Sequence, residues 1–400
     1  MCRTIHFTCF FMMFRTLSFI FLAGMAAGLQ AQNPLYMKSA DPMENQGRFR
    51  TLEIRGRSGG YLYGGETLTS KLESGYGALE VRYAWQSRDA EIWGKYGYPS
   101  YGVGLYSGFL GDPEIFGNPN AVFGFINFPI SNPTRRNQFN IGPSLGLTYH
   151  LNPFDPENNP LNDAIGARMA VYFDLDFGWA YRWTPEMDIT YGIDFSHFSN
   201  GRSFTPNWGL NMLGLNVGLR YHYNADQHRI EGGAYPDRRL QSRFLRSEKT
   251  PNEKVAENQS LNIYGAIGTV QTEEGAGTDT RYGTFSLVLD YQHKFNNMHS
   301  VSAGLDYFVD NSVKETYPEG EGKNSLIGIH AGYDFMFWRI TTLVHGGTYI
   351  TDKLGKEALF LRPAIRYDIN KWAYAQVGLK TLGFAADWVE FGVGFRPFRW

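Results

Sequence analysis

Apolar and polar residues alternate one for one through residues 187–195. Met187, Ile189, Tyr191, Ile193 and Phe195 fall on one side, and Asp188, Thr190, Gly192 and Asp194 on the other. Successive side chains of a strand point to opposite faces, so this spacing predicts a strand between an apolar and a polar environment. The pattern recurs along the chain. Leu79, Val81, Tyr83 and Trp85 alternate with Glu80 and Arg82; Val171, Phe173, Leu175, Phe177 and Trp179 alternate with Tyr172, Asp174 and Asp176. Val301, Ala303, Leu305 and Tyr307 repeat it, as do Leu359, Leu361, Ile365 and Tyr367, and Val389, Phe391, Val393 and Phe395. Counting such runs predicts an all-β chain of about sixteen strands, half within residues 48–224 and half within 258–400.

The connections between these runs alternate too. Residues 152–165, 272–280 and 311–324 form longer, polar ones, whereas 182–186, 295–298 and 370–371 are tight. Short turns at one end and longer loops at the other are the asymmetry of an antiparallel outer-membrane β-barrel. One connection departs from it: residues 225–257 are long and charged, with Arg238, Arg239, Arg243, Arg246, Lys249 and Lys254 among Asp226, Glu231, Asp237, Glu248 and Glu253. This segment reads as a linker at the midpoint of the strand count. Two architectures follow: two tandem eight-stranded barrels, or one transmembrane barrel of 14–16 strands. Eight strands leave an interior filled by side chains, whereas sixteen leave a channel.

Composition supports a membrane location without spanning helices. Aromatic residues make up 16% of the chain and glycines number 46, which suits a barrel with aromatic girdles. No run beyond residue 31 approaches the ~20 apolar residues of a spanning helix. Residues 1–31 read as a signal peptide: Arg3 and Arg15 precede the apolar run 17–28, and cleavage fits after Ala31. Both cysteines, Cys2 and Cys9, lie in that segment, so the remainder has no thiol for a disulfide, a nucleophile or a metal. The chain ends Phe398-Arg399-Trp400, like the aromatic termini of outer-membrane barrels. A net charge of −2 gives no reason to expect nucleic acid as a partner.

The candidate chemistry lies where the strand at 187–195 runs out. Its apolar face continues to His197 and Ser199, and the chain turns through residues 201–206. It then returns with Asn207, Asn211, Leu213, Leu215, Val217 and Leu219 on one parity. Antiparallel pairing sets such residues side by side. By that parity His197, Ser199, Asn207 and Asn211 point outward, and Phe198 and Trp208 inward. A histidine two residues before a serine on one face can serve as base beside nucleophile; the alternative is that these groups mark where the apolar band meets water. Asp155, Glu157 and Asp163 in the long loop are candidates for a divalent ion or simply solvated. His222, His293, His330 and His345 stand singly on strands and read as lumen-lining. The motifs HExxH and GxxxxGK[ST] do not occur.

The cluster His197-Phe-Ser199-Asn200-Gly201, followed by Pro206-Asn207 and Asn211, resembles the PagL-type lipid A 3-O-deacylases of the Gram-negative outer membrane, over roughly residues 48–224. The resemblance implies a cofactor-independent esterase on the lipid-facing wall of a small barrel, with lipid A or lipopolysaccharide as substrate and no metal. Ser199 would be the nucleophile and His197 the general base. Asn200 and Asn207 would be candidates to steady the oxyanion. In the family a glutamate orients the histidine, and this chain has Asn211 there. An asparagine carbonyl can accept a hydrogen bond from the imidazole but cannot neutralise an imidazolium. The alternative function is therefore a non-catalytic channel or scaffold barrel, a role that residues 258–400, with no catalytic cluster, would suit alone.

Overall fold

The computed structural model describes residues 49–400 apart from 64, 66, 74, 87–93, 132–135, 185, 224–254, 317–322 and 384. The signal peptide and most of the charged linker expected from the sequence lie outside the described residues.

Sixteen strands are present among them. The first eight are β1 (Phe49–Tyr61), β2 (Tyr76–Gln86), β3 (Ser100–Phe109), β4 (Gly117–Pro129), β5 (Asn137–Leu151), β6 (Ala170–Arg182), β7 (Met187–Ser199) and β8 (Leu210–His222). Each pairs antiparallel with the next, and β8 returns to β1 with Leu219 opposite Ile54, closing a barrel. The second eight are β9 (Gln259–Val270), β10 (Tyr282–Lys294), β11 (His299–Asp310), β12 (Ser325–Phe337), β13 (Ile340–Tyr349), β14 (Leu359–Asp368), β15 (Ala373–Leu382) and β16 (Ala385–Arg399). They close separately, with Val393 of β16 opposite Gly265 of β9. The tandem is therefore the architecture, and the single large barrel is not.

Both barrels put apolar side chains outside and charge inside. Leu213, Leu215, Val217 and Leu219 of β8 are exposed, while the residues between them face the lumen. In the first lumen the buried Arg57 guanidinium meets Asp174 at 2.7 Å, Glu80 at 3.0 Å and Asp194 at 3.1 Å. Arg55 bridges Glu53 and Asp176 nearby. Buried carboxylates need such partners, since an unpaired buried charge costs several kcal/mol. These networks explain how a strand such as β6 carries Asp174 and Asp176 on the polar side of its alternation.

The exposed Trp183, Tyr223, Phe295, Trp338, Trp372 and Trp400 all lie at the end of the short turns, as a girdle requires. The opposite end of the first lumen is plugged by rings. Phe198 stacks on Tyr172 with centroids 5.3 Å apart and meets Tyr106 at 5.8 Å, over the buried Leu210 and Met212. Phe198 thus locks the end of β7 in its register. Its neighbours His197 and Ser199 must then point the other way.

The two barrels touch through side chains. At the short-turn end Tyr96 packs on Phe337 at 4.6 Å, and Phe128 on Phe337 at 5.2 Å. At the long-loop end the contact is made by the turn after β7.

Candidate active site

Strand pairing brings the first two functional side chains together. His197 of β7 lies opposite Asn211 of β8, and its Nδ1 is 2.7 Å from Asn211 Oδ1. With Nδ1–H donating to that carbonyl, the lone pair of Nε2 is left free, which is the tautomer a general base needs. Gly209 closes this corner. Its φ is +73°, and a Cβ there would lie 3.0 Å from His197 Cε1. Glycine permits both the left-handed backbone and the ring's position.

Ser199 ends β7 on the same outward side and is 9% exposed. Its Oγ accepts two hydrogen bonds, from Asn207 Nδ2 at 2.8 Å and from the Gly201 amide at 3.1 Å. Asn207 is itself held, since its Oδ1 accepts from the Asn200 amide at 3.1 Å. The side chain of Asn200 accepts from the Phe204 amide at 3.4 Å, while its buried Nδ2 has no hydrogen-bond partner. Two N–H donors therefore bond one hydroxyl oxygen, and the residue next to it carries a third, buried N–H group that is uncommitted. No hydrogen bond joins His197 to Ser199 among the described residues. The two share an outward face, two residues apart.

The remaining assignments separate cleanly. Asp188 and Asp194 face the lumen, where Asp188 pairs with His222 at 2.7 Å and Asp194 with Arg57, so neither can orient His197. Phe198 points inward as its parity requires. Trp208 does not: it is 61% exposed. It precedes β8, and the left-handed Gly209 between them breaks the alternation on which its inward placement rested. Asp155 caps its own turn by accepting from the Glu157 and Asn158 amides at 2.9 and 2.8 Å, and Asp163 bonds Tyr63. These acids do not gather into an ion site. His222, His330 and His345 are not single either. Each lies in a lumen against an aspartate, whereas His293 shares the outward parity of β10.

The turn joining β7 to β8 rests on two supports. The loop before β6 provides one: the Gly209 amide donates to Ala164 O at 2.9 Å and the Trp208 amide to Asp163 O at 3.3 Å. The second barrel provides the other. The Thr205 amide donates to Gln271 Oε1 at 2.7 Å, and Thr205 Oγ1 to Thr272 O at 2.8 Å. The Gln271 amide donates back to Arg202 O at 3.1 Å, and the Arg202 guanidinium reaches Asp387 at 3.5 Å. Gln271 Nε2 is spent on Thr278 O and Thr280 O, which fixes the amide's orientation. None of these second-barrel residues is recognisable from sequence. They bear no motif, and Gln271 lies 66 residues from Thr205.

Two family models match the chain. One, described as "Lipid A 3-O-deacylase (PagL)", covers residues 76–220; the other, "Acyloxyacyl hydrolase, C-terminal domain", covers 259–400. No curated protein matches closely enough to count as a relative. Among solved structures, the Neisserial surface protein A (NspA) is 9% identical, with 44% of this chain and 98% of that one covered and a TM-score of 0.30. The N-terminal β-barrel domain of Pseudomonas aeruginosa OprF is 13% identical, with 43% and 97% covered and a TM-score of 0.24. A Rh. blastica porin mutant is 12% identical, with 86% and 99% covered and a TM-score of 0.20.

Proposed function

Because the chain belongs to the PagL family of outer-membrane lipid A deacylases, we propose that it removes the ester-linked 3-O-acyl chain of lipid A, with Ser199 as nucleophile and His197 as general base. The observation that carries this reading is the site's arrangement on the outward wall. The His197 ring is held through Nδ1 by Asn211, and the Ser199 oxygen is ringed by amide donors.

In this mechanism Ser199 Oγ leaves Asn207 and must reach the free Nε2 of His197 by rotation about χ1. The hydroxyl gives its proton to Nε2 as Oγ attacks the ester carbonyl carbon. The carbonyl π electrons move to oxygen, and the oxyanion takes the two donors that Oγ has left, Asn207 Nδ2 and the Gly201 amide, with the uncommitted Asn200 Nδ2 a candidate third. Collapse expels the sugar oxygen, which takes the proton back from His197. Water then repeats the sequence on the acyl-serine, giving free fatty acid and Ser199. No step in this scheme calls for a cofactor.

The long-loop end lies outside the cell if the usual barrel asymmetry holds. Ser199 would then sit at the depth of the outer leaflet, where lipid A resides. A substrate that diffuses laterally in the bilayer can reach an outward wall but not a lumen. Both lumens are packed with buried ion pairs, which weighs against the alternative of a channel.

The test is mass spectrometry of lipid A from cells making the protein or its Ser199→Ala variant. Loss of one 3-O-acyl chain with the wild type alone is expected. Ser199→Ala leaves the Gly201 amide and Asn207 Nδ2 without their acceptor, a cost of about 1–3 kcal/mol that falls on the turn and not on the strand pairing, so the variant should still insert. Deacylation that survives Ser199→Ala refutes the assignment.

A further inference from the structure

We propose that the second barrel holds a divalent transition-metal ion, of which zinc is the type, in its lumen on Asp290, His330 and His345. This goes beyond the deacylase reading and shares no residue with it. One donor atom from each of the three lies within 4.8 Å of the other two, and all three residues are buried. The imidazole rings stack at 5.0 Å with 6° between planes.

Each ring is fixed from behind by a carboxylate. His330 Nδ1 is 2.8 Å from Asp306, and His345 Nε2 is 2.7 Å from Asp334. Those aspartates are anchored in turn, Asp306 by Arg362 at 2.6 Å and Asp334 by Ser302 at 2.7 Å. Carboxylate–histidine pairs of this kind set the tautomer and aim of a metal ligand. They leave His330 Nε2 and His345 Nδ1 uncommitted to an aspartate. His330 Nε2 is buried with no hydrogen-bond partner, an expensive state for an imidazole nitrogen unless something binds it. Asp290 accepts from Asn262 on one oxygen; its other oxygen has Arg366 no nearer than 3.9 Å. Gly332 lies opposite His345, and a Cβ there would come within 2.4 Å of the ring, so the strand pairing has room for this imidazole.

Charge points the same way. The network through the two rings contains Asp290, Asp306, Asp334 and Glu390 against Arg362 and Arg366. Four carboxylates and two guanidiniums leave two negative charges, which one divalent cation neutralises. Two imidazole nitrogens with one carboxylate oxygen suit zinc or its neighbours rather than magnesium or calcium, which prefer oxygen alone.

The experiment uses the full-length chain in detergent, refolded with zinc or with chelator because the residues are buried. After gel filtration, elemental analysis should find one zinc per chain in the zinc-refolded sample. Its melting midpoint should exceed that of the chelated sample, as binding to the native state alone requires. Cobalt in place of zinc should give visible absorption bands, a readout that depends on no variant. His330→Gln and Asp290→Asn should lose the metal and the cobalt bands. A folded wild-type barrel that takes up no zinc and shows no cobalt bands overturns the proposal. So does stoichiometric zinc that survives both substitutions.

Discussion

Asn211→Glu restores the carboxylate expected beside a catalytic imidazole, and the structure sets the size of its effect. Asn211 Oδ1 is 2.7 Å from His197 Nδ1, on the outward face of β8 and half-buried. A neutral acceptor fixes the ring but, in the proposed mechanism, gives little to the imidazolium that would form as Ser199 attacks. A carboxylate adds a Coulomb attraction of about 4 kcal/mol at 4 Å and an effective dielectric of 20. Part of that is offset by desolvating the carboxylate. If a third to two-thirds survives, turnover rises roughly 10- to 100-fold, at 1.36 kcal/mol per decade. Asn211→Leu should move the other way. Losing a neutral hydrogen bond of about 1 kcal/mol lowers turnover roughly fivefold, with more lost if the ring turns over. Both variants would be assayed as purified protein on lipid A in mixed micelles, with circular dichroism confirming the barrel. If Asn211→Glu and Asn211→Leu both match the wild type, Asn211 does not orient His197. The Ser–His pair would then need another partner.

Two further substitutions probe the frame around the site. Gln271→Ala removes the acceptor of the buried Thr205 amide, so about 1–3 kcal/mol of unsatisfied donor falls on the turn that carries Asn200 and Asn207. Deacylation should drop about 5- to 100-fold with the spectrum of both barrels unchanged; full activity would show that the turn holds itself. Arg57→Met strips the shared partner from Asp174, Asp194 and Glu80 and should cost about 3–5 kcal/mol, read as a lower denaturant midpoint at pH 7 and a smaller loss at a pH that protonates the acids. An unshifted midpoint would mean the network does not stabilise the barrel.

Strands were legible because each separates lipid from a charged lumen, and that contrast writes itself at every second residue. Leu213, Leu215, Val217 and Leu219 advertise β8 for this reason. The partnership of His197 with Asn211 was legible through the family resemblance, which sets Asn211 where the orienting residue belongs; the ten residues between β7 and β8 are too many to fix that register by themselves. Legibility ended where the alternation did. Trp208 kept the parity of an inward residue on paper, but Gly209 at φ +73° reset the count before β8 began. The aspartates behind His330 and His345 escaped notice for a different cause. Asp306 is 24 positions from His330, and their contact exists only because β11 and β12 pair in one register. Gln271 was out of reach altogether. Its partner belongs to the other barrel, and no periodicity reports a contact between separately closed sheets.

That last contact bears on why two closed barrels share one chain. A turn on a barrel rim normally spends its backbone groups on water or on itself. Here the Thr205 amide and the Arg202 carbonyl are both bonded by Gln271, one through its side chain and one through its amide. Buried backbone groups of this kind must be satisfied somewhere. Gln271 can do so in one orientation only, because Thr278 O and Thr280 O consume its amide hydrogens. On the far side of the turn, Gly201 faces Val389, and Arg202 reaches Asp387, which is itself pinned by Lys356 and Lys380. The position of the turn is thus referred to the rigid wall of the second barrel. The donors around Ser199 must be placed within a few tenths of an ångström of an oxyanion to act on it. A short loop on an isolated eight-stranded barrel has few means of achieving that, and a second barrel packed against it supplies them.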